Sequence, residues 1–586
     1  MSQDKPPRHG GAQAVAAARK HGVRTMFTLS GGHVFPLYDG AVKANPPMPI
    51  IDVRHEQTAV FAAEATARLT RTPGLAVLTA GPGVTNGISA VTTAHFNGSP
   101  LVVLAGRAPD GRWGSGSLQE LDHPPLLAPV TKRAWTAHSP GEVGAAVDTA
   151  FTLADARHRG PVFVDASLEA LFGSAEHRPA EHGSTDEAGG GRRSAVADGA
   201  AAIPGAPDVS DGDAVSDADA LPDAVAVSQI ARLLAASTRP VLILGSDVWL
   251  DGAESAARSA AEYFRLPVIA NGQGRGILPA GHPLLVTRAR ATALGEADLV
   301  IVAGTPLDFR LGYGRFGGKN GTPPARVVHL ADATDQLARH CELAGSAAGD
   351  LSAVFNALVD EAGAGRGSGG AWAEAWLPRL QQLARQASEA DAALLHSDGT
   401  PIHPLRIYGE LADLLAPDAV VIGDGGDFVS YAGKYVEPRQ PGGWLDPGPY
   451  GCLGTGLGYA IAARVARPTS QVVLLLGDGA AGFSLMDVDT LVRHGLPVVM
   501  ICGNNGIWGL EKHPMQALYG YDVAADLQAG CRYDQVVAAL GGGGELVTRP
   551  EDIGPALRRA FESGVPYMVN VVTDAKDAYP RSTSGV

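Results

Sequence analysis

Apolar residues in this chain come mostly in short unbroken runs rather than in strict alternation. Val472 to Leu476 and Pro497 to Ile501 are the clearest, each followed by glycine or asparagine. Runs of this length bounded by turn residues predict strands buried on both faces of a parallel sheet. Between them, Ser484 to Arg493 has helical spacing, opens on a serine, carries basic residues at its end and stops at Gly495, which predicts a helix and hence one strand–helix–strand unit. The same alternation recurs upstream. Helices over 11–20 and 59–69 interleave with strands over 25–29, 50–53, 75–79 and 101–105, and further strands fall at 239–245, 266–270 and 297–304. The fold class this predicts is α/β, three doubly wound parallel-sheet domains, at 1–175, 223–385 and 386–586. Residues 176–222 are rich in Gly, Ala, Asp, Ser and Pro with almost no large apolar side chains, a composition that predicts a flexible linker.

Composition narrows the class. The chain has 586 residues, 45% hydrophobic and 18% charged, enough for several domains each burying a core. A formal net charge of −15 argues against nucleic acid and anionic membrane as partners. The opening Met1-Ser2-Gln3-Asp4-Lys5-Pro6-Pro7 lacks the apolar core of a signal peptide, and no apolar run nears the ~20 residues of a membrane span, so a cytoplasmic protein is expected. The four cysteines are scattered without a CxxC pair, which disfavours a disulfide framework or structural zinc.

Candidate chemistry gathers where the strands end. Parallel strands present their carboxyl ends on one edge, so Asp478 in Gly477-Asp478-Gly479 and Asn505 after the second run can converge on one ion. One carboxylate and one amide oxygen suit Mg²⁺, and the glycines let a diphosphate approach the backbone. Glycine-rich turns also follow the strands at Ser30-Gly31-Gly32-His33 and Ala80-Gly81-Pro82-Gly83. His33 is a candidate proton relay or carbonyl ligand. Glu56 opens the helix after Ile50 to Val53.

With 24 residues between GDG and Asn504-Asn505, the chain resembles the thiamine diphosphate enzymes. By that resemblance Asp478, Asn505 and the main-chain carbonyl of Ile507 hold Mg²⁺. Arg54-His55-Glu56-Gln57 with Ala62-Ala63-Glu64 resembles the RHEQ…AAE stretch of the acetolactate synthase superfamily, in which the first Glu bonds N1′ of the cofactor's aminopyrimidine. Glu56 is thereby the leading catalytic residue. Thr79 to Asn86 looks like the SGPGxTN loop, bringing in Gly81, Pro82 and Gly83, and Ser117 to Asp122 like the FQExD segment, bringing in Gln119 and, more weakly, Lys132. Leu453 takes the place of the apolar residue that wedges the cofactor into its bent shape, and Asp424-Gly425-Gly426 resembles a turn over the diphosphate. The three domains become pyrimidine-binding, central and diphosphate-binding.

Within the superfamily, LGMHG is absent, Gly458 stands where synthases carry a proline, and Pro514 stands at their specificity tryptophan. Arg290 to Asp298 and Gly304 to Arg315 look instead like the acetolactate synthase-like and 2-hydroxyacyl-CoA lyase branch. The resemblance implies making or breaking a C–C bond next to a carbonyl, on a 2-oxo acid, an aldehyde or a 2-hydroxyacyl-CoA. A true acetolactate synthase is the alternative, and a silent cofactor-binding scaffold a minor one. Asp308, Arg310 and Arg290 leave room for FAD or an ADP-containing nucleotide in the central domain, and a homodimer or homotetramer is implied.

Overall fold

A computed structural model of the chain describes residues 9–174, 222–364, 370–577 and 579. The expected linker, apart from Pro222, lies outside them. Three sheets form, and every strand pairing within them is parallel. In the first, β1 (Met26–Thr28), β2 (Ile50–Asp52), β3 (Gly74–Leu78), β4 (Leu101–Arg107), β5 (Ala134–Ala137) and β6 (Pro161–Ser167) lie in the order 2-1-3-4-6-5. The central sheet holds β7 (Pro240–Leu244), β8 (Val268–Ala270), β9 (Leu299–Ala303), β10 (Arg326–Ala331) and β11 (Gly345–Ala348), ordered 11-10-9-7-8. The last holds β12 (Val420–Asp424), β13 (Trp444–Leu445), β14 (Val472–Gly477), β15 (Val499–Asn504), β16 (Gly543–Val547) and β17 (Tyr567–Val572), ordered 13-12-14-15-17-16.

The first and third sheets thus share one topology. Their equivalent helices, Glu56–Thr70 after β2 and Thr455–Ala466 after β13, pack face to face, and the two domains share one apolar core in which Phe61 meets Tyr459 edge to face. Gly458 makes the close approach: a Cβ there would sit 2.7 Å from Phe61 Cβ and 3.0 Å from the Thr58 carbonyl. The central domain has its own core. The helix Trp376–Leu395 begins on that core through Trp376, Leu377 and Leu380 and ends with Leu395 against the third domain, so it runs continuously across residue 386.

In each sheet the chain winds outward both ways from one adjacent pair of strands. That pair is β1 and β3, β7 and β9, or β12 and β14. Loops at such a switch point part and leave a crevice at the carboxyl edge, where ligands of open α/β sheets bind. Among the described residues no helix is long and apolar enough to cross a membrane.

Candidate active site

Asp478 follows β14 at the switch point of the third sheet. The helix here begins at Asp478 itself (Asp478–Ser484), passes through a 3₁₀ turn and resumes at Val488–Arg493, so Ser484 closes a helix instead of capping one. Gly477 supplies the extended residue the start requires. Asp478 is buried; its Oδ1 accepts from Gly479 N at 2.9 Å and its Oδ2 from Gly506 N at 2.6 Å. Burial pushes its carboxyl up to about 6, against the pull of those N–H groups. Asn505, Ile507, Gly477, Gly479 and Gly426 line the same cavity of about 30 Å³, closed on one side by Trp508. A Cβ on Gly479 would strike that indole at 2.4 Å, whereas one on Gly477 would meet open space. A buried carboxylate and an amide side chain lining one ion-sized space offer oxygen donors of the kind that suits Mg²⁺. The two asparagines divide their work. Asn504 donates to Asn570 Oδ1 and the Cys531 carbonyl and secures the strand, while only Asn505 lines the cavity with Asp478.

Asp424 turns its carboxylate to main-chain N–H groups. Its fully buried carboxylate, pushed up to about 7 by burial, accepts from Gly454 N at 3.1 Å and Gly456 N at 2.8 Å. Asp424 thereby holds the loop that carries Leu453. Gly426 lines the Asp478 cavity, and Gly425 makes the bend at φ +104°. Leu453 is half-buried between Gly451 and Gly454, both left-handed, and its carbonyl lies 3.5 Å from Gln57 Nε2.

At the switch point of the first sheet, Glu56 is buried at its helix start, and its Oε2 accepts from Asn86 Nδ2 at 3.0 Å. Gly81 (φ +59°) turns the chain into the helix Pro82–Phe96, and Gly83 passes close enough that a Cβ there would lie 3.8 Å from Glu56 Oε1. His33 and Gln119 come together on one open cavity of about 680 Å³ with Thr79 and Arg112. His33 Nδ1 meets Thr79 Oγ1 at 3.2 Å, and burial holds the imidazole below its usual range, so it is neutral near pH 7. Gln119 adopts φ +60° and leans on Gly81, whose missing Cβ leaves the space. Lys132 belongs elsewhere. Its Nζ donates to the carbonyls of Ala156 and His158 beside the central domain, burial lowers it to about 8, and it lines a different crevice. Asn86, the partner of Glu56, received no role from the sequence, although the Thr-Asn pair closing the Gly81 motif was its signal.

In the central domain, a crevice of about 660 Å³ opens at the β7/β9 switch point, but Asp247 and Asp332 with His158 occupy its edge. Burial and Asp332 raise Asp247 to about 7, and Lys132, Arg157, His158 and Arg159 line the same crevice, so it carries charges of both signs. Asp308 is spent on Arg310, at 2.7 Å, and on the turn between them. A second cavity, of about 1030 Å³, lies between the central and third domains. Arg275, Arg288, Arg290, Arg310, Arg315 and Lys434 line it, and Asp391, held by Arg288, is the one carboxylate among its lining residues. Burial, with Arg275 and Arg310 close by, lowers Arg290 to about 10. Its far wall includes Ser430 and Gly433, on the helix Asp427–Tyr435 that starts at the Asp478 cavity.

A small cavity lined by a carboxylate and an amide on one sheet, and a buried glutamate beside a polar cleft on a topologically identical sheet, are the two candidate site regions of the chain. The chain belongs to the thiamine pyrophosphate enzymes: the models of the N-terminal TPP binding domain, the central domain and the C-terminal TPP binding domain match residues 8–126, 227–358 and 424–571. It is 47% identical to the acetolactate synthase large subunit IlvG of Mycobacterium tuberculosis over the whole of both chains. It is 34% identical to 2-hydroxyacyl-CoA lyase 2 of Caenorhabditis elegans, over 93% of this chain and 85% of that one. With 2-hydroxyacyl-CoA lyase 2 of Homo sapiens it shares 32%, over 97% and 91%.

Proposed function

We propose that this enzyme, using thiamine diphosphate and Mg²⁺, cleaves a 2-hydroxyacyl-CoA into an aldehyde and formyl-CoA. The observation that carries this reading is the arginine-lined cavity between the central and third domains. A 2-oxo acid offers one carboxylate, which needs one or two cationic partners; a coenzyme A thioester brings several phosphate charges on a long arm. A cavity of about 1030 Å³ in which Arg275, Arg290 and Arg315 stand outside the Arg288–Asp391 and Arg310–Asp308 pairs, in a chain of net charge −15, fits the second kind of ligand. The ADP-like moiety expected in the central domain is then the substrate's own nucleotide, and no FAD is needed.

The bound cofactor supplies a carbon nucleophile for the thioester carbonyl. Asp478, Asn505 and the Ile507 carbonyl would hold the metal, whose charge would offset the diphosphate, and Leu453 would pack against the cofactor. Glu56, steadied by Asn86, exchanges a proton with the pyrimidine ring nitrogen. Neutral His33 accepts the proton of the substrate's hydroxyl as the bond between the hydroxyl-bearing carbon and the thioester carbon breaks. The aldehyde leaves, and the thioester carbon takes up one proton to give formyl-CoA. Gln119 donates to the substrate oxygens from the same cavity.

Acetolactate synthesis from pyruvate is the second reading, favoured by the full-length likeness to a protein named acetolactate synthase. Steady-state turnover of both substrates separates the two, with Arg290→Gln alongside. Aldehyde and formyl-CoA with pyruvate inert, and a KM for the thioester raised about 10-fold or more in the variant, are expected, since a charge-assisted contact contributes about 1.5–3 kcal/mol. Acetolactate formation indifferent to Arg290→Gln would establish the synthase.

A further inference from the structure

We infer that His123 and Asp165 form a positioning pair that holds the Gly81–Gly83 turn, and through it the Glu56–Asn86 contact, by a single backbone N–H. Gly81 N lies 2.9 Å from His123 Nε2. An amide nitrogen can only donate, so Nε2 carries the lone pair and the ring proton sits on Nδ1. Nδ1 is 2.8 Å from Asp165 Oδ2, an acceptor that fixes this tautomer, and both side chains are completely buried. The opposite tautomer would set N–H against N–H at Gly81.

The consequences reach the site along two paths. Gly81 is the residue before the helix Pro82–Phe96, which carries Asn86 to Glu56, so the tilt of that helix start sets the 3.0 Å contact on which Glu56 depends. Asp165 also binds Arg107 Nη1 at 3.3 Å; the same nitrogen reaches Asp122 Oδ1 at 3.0 Å, and the guanidinium lies over Trp113 at 3.8 Å. Asp122 adjoins His123 in the loop of Gln119, whose left-handed backbone rests on Gly81. One carboxylate at the end of β6 thus ties down both sides of the Gly81–Gln119 contact. His123 is completely buried, which makes it a positioning residue and not a catalytic one.

The inference rests on the active-site reading of the Gly81 turn but is indifferent to which substrate is used. The test compares two amides in place of the imidazole, in the full-length enzyme assayed with whichever substrate the wild type turns over. In His123→Gln the terminal oxygen falls where Nε2 lies and can accept from Gly81; in His123→Asn the amide can serve Asp165 but cannot reach Gly81. Asp165→Asn keeps the shape and frees the tautomer. The expected result is that His123→Gln retains most of kcat, while His123→Asn and Asp165→Asn each lose about 10- to 100-fold in kcat at near-normal substrate KM, the scale of an ångström-sized displacement in an active site. Thermal melts confirm the folded fraction. Equal kcat in the two amide variants, or undiminished kcat in Asp165→Asn, would overturn the inference; a wild type inert toward both substrates would count against the proposed function instead.

Discussion

In the proposed metal site, the charge state of Asp478 would decide when the cation binds. Buried without a cation, its carboxyl titrates near 6, whereas an unfolded aspartate titrates near 4. Between those values the metal-free fold holds a proton that the unfolded chain has released, so this site's contribution to stability falls as pH rises through that window. Mg²⁺ held in the proposed site would restore it by replacing the proton. The rise in Tm on adding MgCl₂ with thiamine diphosphate should therefore be small at pH 5 and largest above pH 7. A Tm shift independent of pH would remove Asp478 from the metal site. Glu56 is tested by isosteric change: Glu56→Gln keeps the volume and a partner for Asn86 but cannot exchange a proton, so turnover should fall by at least about 10²-fold, the lower range for a general acid–base group. Cofactor binding, read from the near-ultraviolet circular dichroism of the loaded protein, should persist.

At the scale of elements, the Gly458 crossing is the sharpest test of how the two cofactor domains meet. Alanine normally gains about 1 kcal/mol over glycine inside a helix. Here the added methyl would meet the Thr58 carbonyl at 3.0 Å and Ala62 N at 3.2 Å, backbone atoms that cannot swing aside. Overpacking of this kind costs about 1–3 kcal/mol, so Gly458→Ala should lower Tm despite its better propensity. The sequence showed Gly458 only as a missing proline, because the helix partner that needs its bare Cα is nearly 400 residues away. Local signals fared better. Strands over 75–79, 101–105 and 472–476 stood out because their apolar runs end in glycine or polar turns, and the GDG and NN signatures led to Asp478 and Asn505. The partners of Asp424 were not legible: in sequence it is one more acidic residue before two glycines, and only the fold shows its carboxylate turned to the N–H groups of Gly454 and Gly456. His123 left no trace, since a buried histidine reads like any other until Gly81 is placed beside it.

For the whole molecule, the duplicated sheets carry an implication for assembly. Large apolar side chains are exposed on the third domain next to the Asp478 cavity: Phe483 (57%) and Met486 (55%) on the segment after GDG, and Leu518 and Tyr519 beyond NN. On the first domain, Phe35 and Leu118 are exposed around the His33 cavity. Apolar surface of this size beside a site is characteristic of a face covered in the working protein. Both halves of the proposed cofactor site carry such a face, so we expect a second copy to cover each with the other's and the cofactor to lie between the first domain of one subunit and the third of the other. The enzyme is accordingly expected to run as a dimer or tetramer in light scattering after size exclusion. Replacing Phe483 and Met486 together by arginine should shift it toward the monomer and lower thiamine diphosphate affinity in parallel, because dissociation would halve every site. A monomeric wild type with full activity would show that one chain completes the site alone.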